Sequence, residues 1–337
     1  MKVLLGGGGI TSSLIGYFLR NFKERISLDL WEKHEELGGR MKTLHNVQTN
    51  VPVDLGAQYI TTNAEFSELY SEVYNSLFQN NKIQELDCII KNMKPISKGT
   101  INYIAPEGMS SLVTHFLKNN FNEINLCHCI TTLNVFGNTI EVEANNKVKN
   151  VYDAIILTMP VPDILRLTGN FKNFISNDIH ENMKNVKYSS RFVLVLIYDK
   201  QLEVDWDANY ITDNIFRYIS IQEKKIKLPS NQSSVIFHTS VEFGKKYFHC
   251  NNDEIELILL KHVYELFPEW INPIKTFCYK WEYSQITSPF HNSPKCVVLC
   301  SKPIIIMAGD SFTCSSFNGC ITSAKATADI ILQNFSM

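Results

Sequence analysis

The stretch Lys2-Val3-Leu4-Leu5-Gly6-Gly7-Gly8-Gly9, read together with residues 10–32, sets the architecture of the chain. Residues 10–19 repeat apolar side chains at helical spacing, residues 26–31 form a second apolar run, and Glu32 closes that run. The order is strand, tight glycine turn, helix, strand, carboxylate, the fingerprint for the ADP half of a dinucleotide. A helix N-terminus carries unpaired N–H groups and partial positive charge, so it attracts a pyrophosphate. Glycines let the backbone approach that phosphate without a Cβ in the way. An acid ending the second strand can accept hydrogen bonds from a ribose.

The pattern departs from the ideal at its third position. Read as Gly7-x-Gly9-x-x-Ser12 it has serine where glycine is expected, and read one residue earlier it has Thr11. The third glycine allows close helix–strand packing, so Ser12 predicts a wider approach there. On that reading Ser12→Gly would tighten cofactor binding.

Bulk properties bound the rest. The 337 residues point to two domains or one large α/β unit, and 45% hydrophobic with 20% charged residues is enough for an ordinary core. A net charge of −2 gives no sign of a nucleic-acid or membrane-surface partner. No apolar run is long enough to span a bilayer. Met1-Lys2 leads straight into the first strand, which predicts no secretory signal and a cytoplasmic protein. The nine cysteines, an odd number, read as reduced structural thiols, and no zinc-like array is present.

Further along, Gly38-Gly39-Arg40-Met41 makes a tight turn followed by an arginine that can grip a phosphate with two parallel donors. The alternative is a surface turn with a solvated arginine. Asp54-Leu55-Gly56-Ala57-Gln58-Tyr59 is a strand interrupted by glycine, with Gln58 and Tyr59 at its exit, where α/β sheets bind ligands. These motifs, in this order, resemble the FAD-containing amine-oxidase superfamily, and within it the renalases. Residues 102–109 add to the resemblance. So does the closing block, Gly309-Asp310-Ser311-Phe312-Thr313 after an apolar strand, then Phe317-Asn318-Gly319-Cys320-Ile321 opening the last helix.

The resemblance implies an α/β fold: a Rossmann-type FAD-binding domain plus a mixed α+β substrate domain, similar to p-hydroxybenzoate hydroxylase. It implies a discontinuous FAD domain over residues 1–61, 97–165 and 297–337, and a substrate domain over 62–96 and 166–296. Carried onto this sequence, the FAD-binding positions are Gly7, Gly9, Thr11, Glu32, Lys33, Gly39, Arg40, Gln58, Tyr59, Gly309, Asp310, Phe317, Gly319, Cys320 and Ile321. Asp310 would meet the ribityl hydroxyls, and the last helix would face the negative edge of the reduced ring. Tyr59 and Trp281 would border the pocket, although a buried structural tryptophan is an equal reading of Trp281.

Residues 62–96 show helical periodicity around Phe66, Leu69, Tyr70, Val73, Tyr74 and Leu77, a stripe that reads as core or as a ligand-facing wall. Residues 135–142 read as a hairpin around Gly137-Asn138. No second glycine fingerprint and no Cys-x-x-x-x-Cys pair follow, which argues against an NADPH domain and a disulfide reductase. No side chain sits in a recognisable nucleophile setting, as expected where a flavin carries the chemistry.

The resemblance implies non-covalent FAD and oxidation of 2- and 6-dihydro isomers of β-NAD(P)H to β-NAD(P)+, with O2 reduced to H2O2. Two other readings stand beside it: a flavin monoamine oxidase acting on a small amine, and a non-enzymatic, flavin-bound signalling protein released by an unconventional route.

Overall fold

A computed structural model describes residues 1–45, 50–95 and 97–334. Contacts divide the chain into two compact units, residues 1–41, 110–187 and 286–337 in the first, and 42–109 and 188–285 in the second.

The first unit is built on a six-stranded sheet. Its strands run in the order Cys296–Ser301, Ile304–Ala308, Ala154–Leu157, Lys2–Gly6, Ser27–Trp31 and Glu123–Asn125. All neighbours are parallel except the edge strand Cys296–Ser301. The central strands read as continuous apolar runs because helices cover them. Ile10–Leu19 packs against Phe317–Gln333 and against Ser110–Leu117. Register aligns the strand ends: Gly6 lies opposite both Trp31 and Leu157, and Leu157 opposite Met307. Gly7, Glu32, Thr158 and the turn into Gly309 therefore leave the sheet on one edge. Ligands bind on that carboxyl edge in open parallel sheets.

A three-stranded meander, Ile130–Phe136, Thr139–Ala144 and Lys149–Tyr152, completes this unit. Its first turn is the predicted Gly137-Asn138, with Gly137 at φ 58°.

The second unit is built on an antiparallel sheet of Lys275–Trp281, Arg191–Tyr198, Ser233–Thr239, Phe216–Ile221 and Ala208–Tyr210, with Ile90–Lys91 added in parallel. One face packs Phe192, Leu194, Leu196, Phe216 and Phe237 against the helix Asn252–Leu266. Asn251 and Glu254 form a reciprocal capping box that starts this helix. The opposite face carries Val193, Val195, Ile236 and Tyr218, with Tyr210, Tyr279 and Trp281 at its margins.

Several expectations change. Residues 42–61 and 97–109 pack with the second unit rather than with the cofactor sheet. Thr43–His45 pairs with Pro52–Asp54, and Asp54 is bonded to Gln222 and Lys225. Conversely, residues 166–187 and 286–296 pack with the first unit. Leu133 N–H donates to the Thr168 carbonyl, and Phe290 and Lys295 N–H groups donate to Ser311 and Phe312. The helical pattern at 62–96 is two short helices, Ala64–Leu69 and Ser71–Gln79, which end at Asn80-Asn81. Its stripe divides: Val73, Tyr74 and Leu77 are buried, whereas Leu69 is 71% exposed.

Candidate functional site

The first unit gathers most of the predicted cofactor positions around one turn. Gly9 caps the helix Ile10–Leu19 with no side-chain bond, and no acid occupies the first helical turn. A Cβ at Gly9 would meet no atom within 4 Å, so the backbone is bare at the helix mouth. Gly7 has φ +108°, and a Cβ there would come within 2.9 Å of Thr158 Oγ1. Only glycine accommodates both the conformation and the contact. The helix N-terminus after this turn could hold an anion on its backbone N–H groups.

Glu32 is buried and locks this turn. Its Oε2 accepts from Gly8 N–H at 2.6 Å and its Oε1 from His34 N–H at 2.9 Å. Gly38 N–H donates to the Gly8 carbonyl at 2.9 Å, which brings the Gly38-Gly39 turn onto the same loop. Lys33 points elsewhere. It is ion-paired with Asp163 at 3.0 Å on the surface.

The predicted arginine fork finds a protein partner. Arg40 Nη1 and Nη2 donate to Asp310 Oδ2 and Oδ1 at 2.7 and 2.5 Å, across 270 residues of sequence. Where the sequence reading has the two donors on a phosphate, they hold the carboxylate of the Gly-Asp turn. Ser315 Oγ adds a third bond to Asp310 at 3.3 Å. Asp310 is thereby fixed at the strand end, beside Gly309 at φ +130°.

In the last helix, Ser316 caps Gly319 N–H at 3.0 Å. A Cβ on Gly319 would lie 2.1 Å from the Cys314 carbonyl, so this glycine serves loop packing. Phe317, Cys320 and Ile321 are buried. Burial pushes the Cys320 thiol up to about 12, with Asp310 adding to the shift and Thr11 opposing it. A thiol in that setting stays protonated and unreactive.

Ser12 lies inside the first unit. It is fully buried and its hydroxyl bonds Thr158 Oγ1 at 2.8 Å. We expect Ser12→Gly to lower the melting temperature, because it removes that bond and places glycine inside a helix, together about 1–2 kcal/mol. Flavin affinity should not improve. Thermal melts and a flavin-fluorescence titration check this, and a tightened affinity would restore the spacing argument.

The remaining predicted residues lie in the second unit. Gln58 donates to the Asp54 and Gly56 carbonyls at 2.5 and 3.1 Å, and its Oε1 accepts from Lys225 at 3.0 Å. Its amide is thus committed to a buried network. The Tyr59 and Tyr210 hydroxyls are 2.7 Å apart. Burial, then Tyr210, raises the Tyr59 phenol well above its ordinary range. Trp281 Nε1 donates to the Leu55 carbonyl at 2.9 Å, and its ring meets the Tyr279 ring edge-on at 4.8 Å.

Sequence reasoning missed the row of side chains that Tyr59 and Trp281 touch, at Tyr210 and Tyr279. Register places Tyr279 opposite Val193, Val193 opposite His238, His238 opposite Tyr218, and Tyr218 opposite Tyr210. Directly paired residues share one face, so the row crosses five strands. His238 is held neutral in it: burial first, then Arg191 and Lys225, push its pKa down to about 3.

Comparison with known proteins settles the family. Residues 65–332 match the family of flavin containing amine oxidoreductases, and residues 6–77 match an NAD(P)-binding Rossmann-like domain. A renalase from Mus musculus is 34% identical over 339 residues, covering 98% of each chain. The chain belongs to the renalase family of flavin-containing amine oxidoreductases. As a member of that family it is an FAD-dependent oxidoreductase. Solved structures share its fold. One assigned as a protoporphyrinogen oxidase from Exiguobacterium sp. has a TM-score of 0.76 at 10% identity, covering 100% of this chain and 99% of that one. A putrescine oxidase bound to putrescine has 0.72 at 11% identity, covering 99% of each chain. The α/β class with a Rossmann-like domain is therefore the expected one. Among the described residues no helix is long and apolar enough to cross a membrane.

Proposed function

We propose that the protein is an FAD-dependent oxidase of dihydronicotinamide isomers, converting 2- and 6-dihydro forms of β-NAD(P)H to β-NAD(P)+. The observation that carries this reading is the identity to a renalase along 98% of both chains. The cradle fits the cofactor: a bare helix N-terminus for the pyrophosphate, Glu32 at the end of the second strand for a ribose, and Asp310 held by Arg40 for the ribityl chain. The FAD is held without a covalent bond on this reading.

Held by this cradle, FAD would supply a hydride acceptor at N5 and a route for the two electrons to O2, which would leave as H2O2. The protein's own part is orientation. The substrate ring must be held at near-contact distance from the hydride acceptor. A neutral dihydropyridine becomes aromatic on losing hydride, so no general base is required.

The test is anaerobic. Mixing the purified holoenzyme with 6-dihydro-NAD should bleach the flavin rapidly, while β-NADH and simple amines should not. Bleaching by an amine alone would move the protein to the amine-oxidase class. A loaded flavin that nothing bleaches would favour a non-enzymatic role.

A further inference from the structure

Arg191 and Arg217 stand on strands of the second unit separated by a single strand, Ser233–Thr239. Arg191 opens its strand opposite Trp281. Arg217 sits in the irregularity where the pairing shifts between Phe216, opposite Thr239, and Tyr218, opposite His238. Both arginines therefore flank one end of the middle strand. With about 4.8 Å between neighbouring strands, two long side chains from its two sides can converge on one ligand.

Their partners are the notable feature. Arg191 donates to the Thr239 carbonyl at 3.1 Å and to Gln285 Oε1 at 3.2 Å. Arg217 donates to the Ile211 carbonyl at 3.4 Å and lies 5.8 Å from the centre of the Tyr210 ring. Among the described residues neither guanidinium has a carboxylate within ion-pair distance. Burial pulls Arg191 below the usual arginine range, Glu242 opposes this, and Arg217 adds to it. Two like charges that feel one another, one of them half-buried, are a standing electrostatic cost that a bound anion would offset.

We propose that Arg191 and Arg217 form an anion subsite on the tyrosine-lined sheet, which takes a phosphate of the substrate. This rests on the reading of the substrate as a dihydronicotinamide nucleotide, and it deepens it. The pair selects phosphorylated forms over the bare riboside and repels a cationic amine. A planar guanidinium matches a phosphate with two parallel donors, which a lysine cannot reproduce.

The experiment measures inorganic pyrophosphate binding to the holoenzyme by calorimetry, in the wild type, Arg217→Ala and Arg217→Lys. Arg217 is exposed, so its replacement does not disturb the core. Arg217→Ala should weaken binding by about tenfold or more, and Arg217→Lys by less. The preference in kcat/KM for dihydronicotinamide mononucleotide over its riboside should fall by about the same factor in Arg217→Ala. No pyrophosphate binding in the wild type, or equal binding in Arg217→Ala, would overturn the subsite. The two readings fail separately. A wild type that oxidises no dihydronicotinamide but binds pyrophosphate through Arg217 loses the substrate assignment and keeps the subsite.

Discussion

Glu32→Ala should purify largely without flavin, retaining roughly a tenth or less of the wild-type occupancy. The carboxylate does two things at once. It holds Gly8 N–H at 2.6 Å and His34 N–H at 2.9 Å, and so sets the shape of the turn that meets the pyrophosphate. Its remaining lone pairs are those proposed to meet the ribose. A hydrogen bond to a charged acceptor is worth about 1.5–3 kcal/mol, so losing the proposed ribose contact costs roughly tenfold or more in affinity, and a turn no longer held in shape adds to it. Glu32→Gln should fall between, because one amide oxygen can keep one N–H while the amide nitrogen faces the other. The ratio of flavin to protein absorbance reads both variants. Full occupancy in Glu32→Ala would remove this residue from the cofactor site. Arg40→Ala should follow the same course by a different route, releasing Asp310.

The second large effect concerns stability. Lys225 is 1% exposed and its ammonium donates to Asp54 Oδ2 at 3.2 Å, Gln58 Oε1 at 3.0 Å and Gln222 Oε1 at 3.1 Å. Three donors therefore meet three acceptors. Asp54 is equally satisfied, since its Oδ1 accepts from Thr43 Oγ1 and from Met109 N–H, each at 2.8 Å. A complete buried network of this kind ties residues 43, 54, 58, 109, 222 and 225 to one arrangement. Lys225→Met leaves the buried Asp54 carboxylate without its counter-ion, with Thr43 and Met109 as its remaining donors, and takes one donor each from the Gln58 and Gln222 amide oxygens. Breaking one side of a buried pair costs about 3–5 kcal/mol. The melting temperature of the second unit should fall by roughly 10 °C. The double variant Lys225→Met/Asp54→Asn should recover part of this loss, because the unpaired charge is gone. A shift of only a degree or two in Lys225→Met would show that the network relaxes or admits water. Gln58 and Tyr59 would lose their anchorage with it.

Local chemistry made much of the cofactor half legible in advance. The run from Lys2 to Glu32 announces strand, turn, helix, strand and acid because each is a property of neighbouring residues: apolar periodicity, bare glycines, a carboxylate in register. The Gly309-Asp310 block is legible for the same reason. A sequence motif shows that the Ser12 side chain is present and not where its hydroxyl goes, which is to Thr158, 146 residues away.

The pairings belong to the tertiary structure alone. Arg40 could bond a phosphate, water or any of the chain's acids. The parallel register that brings the ends of Lys2–Gly6 and Ile304–Ala308 to one edge selects Asp310. Lys225 reads as one lysine in a polar run until the fold buries it against Asp54, 171 residues earlier. The tyrosine row and the two arginines are likewise assembled from five separate strands. Periodicity fixes which face a residue takes within its own strand. Only strand order and register, set by long-range packing, fix which residues lie beside it.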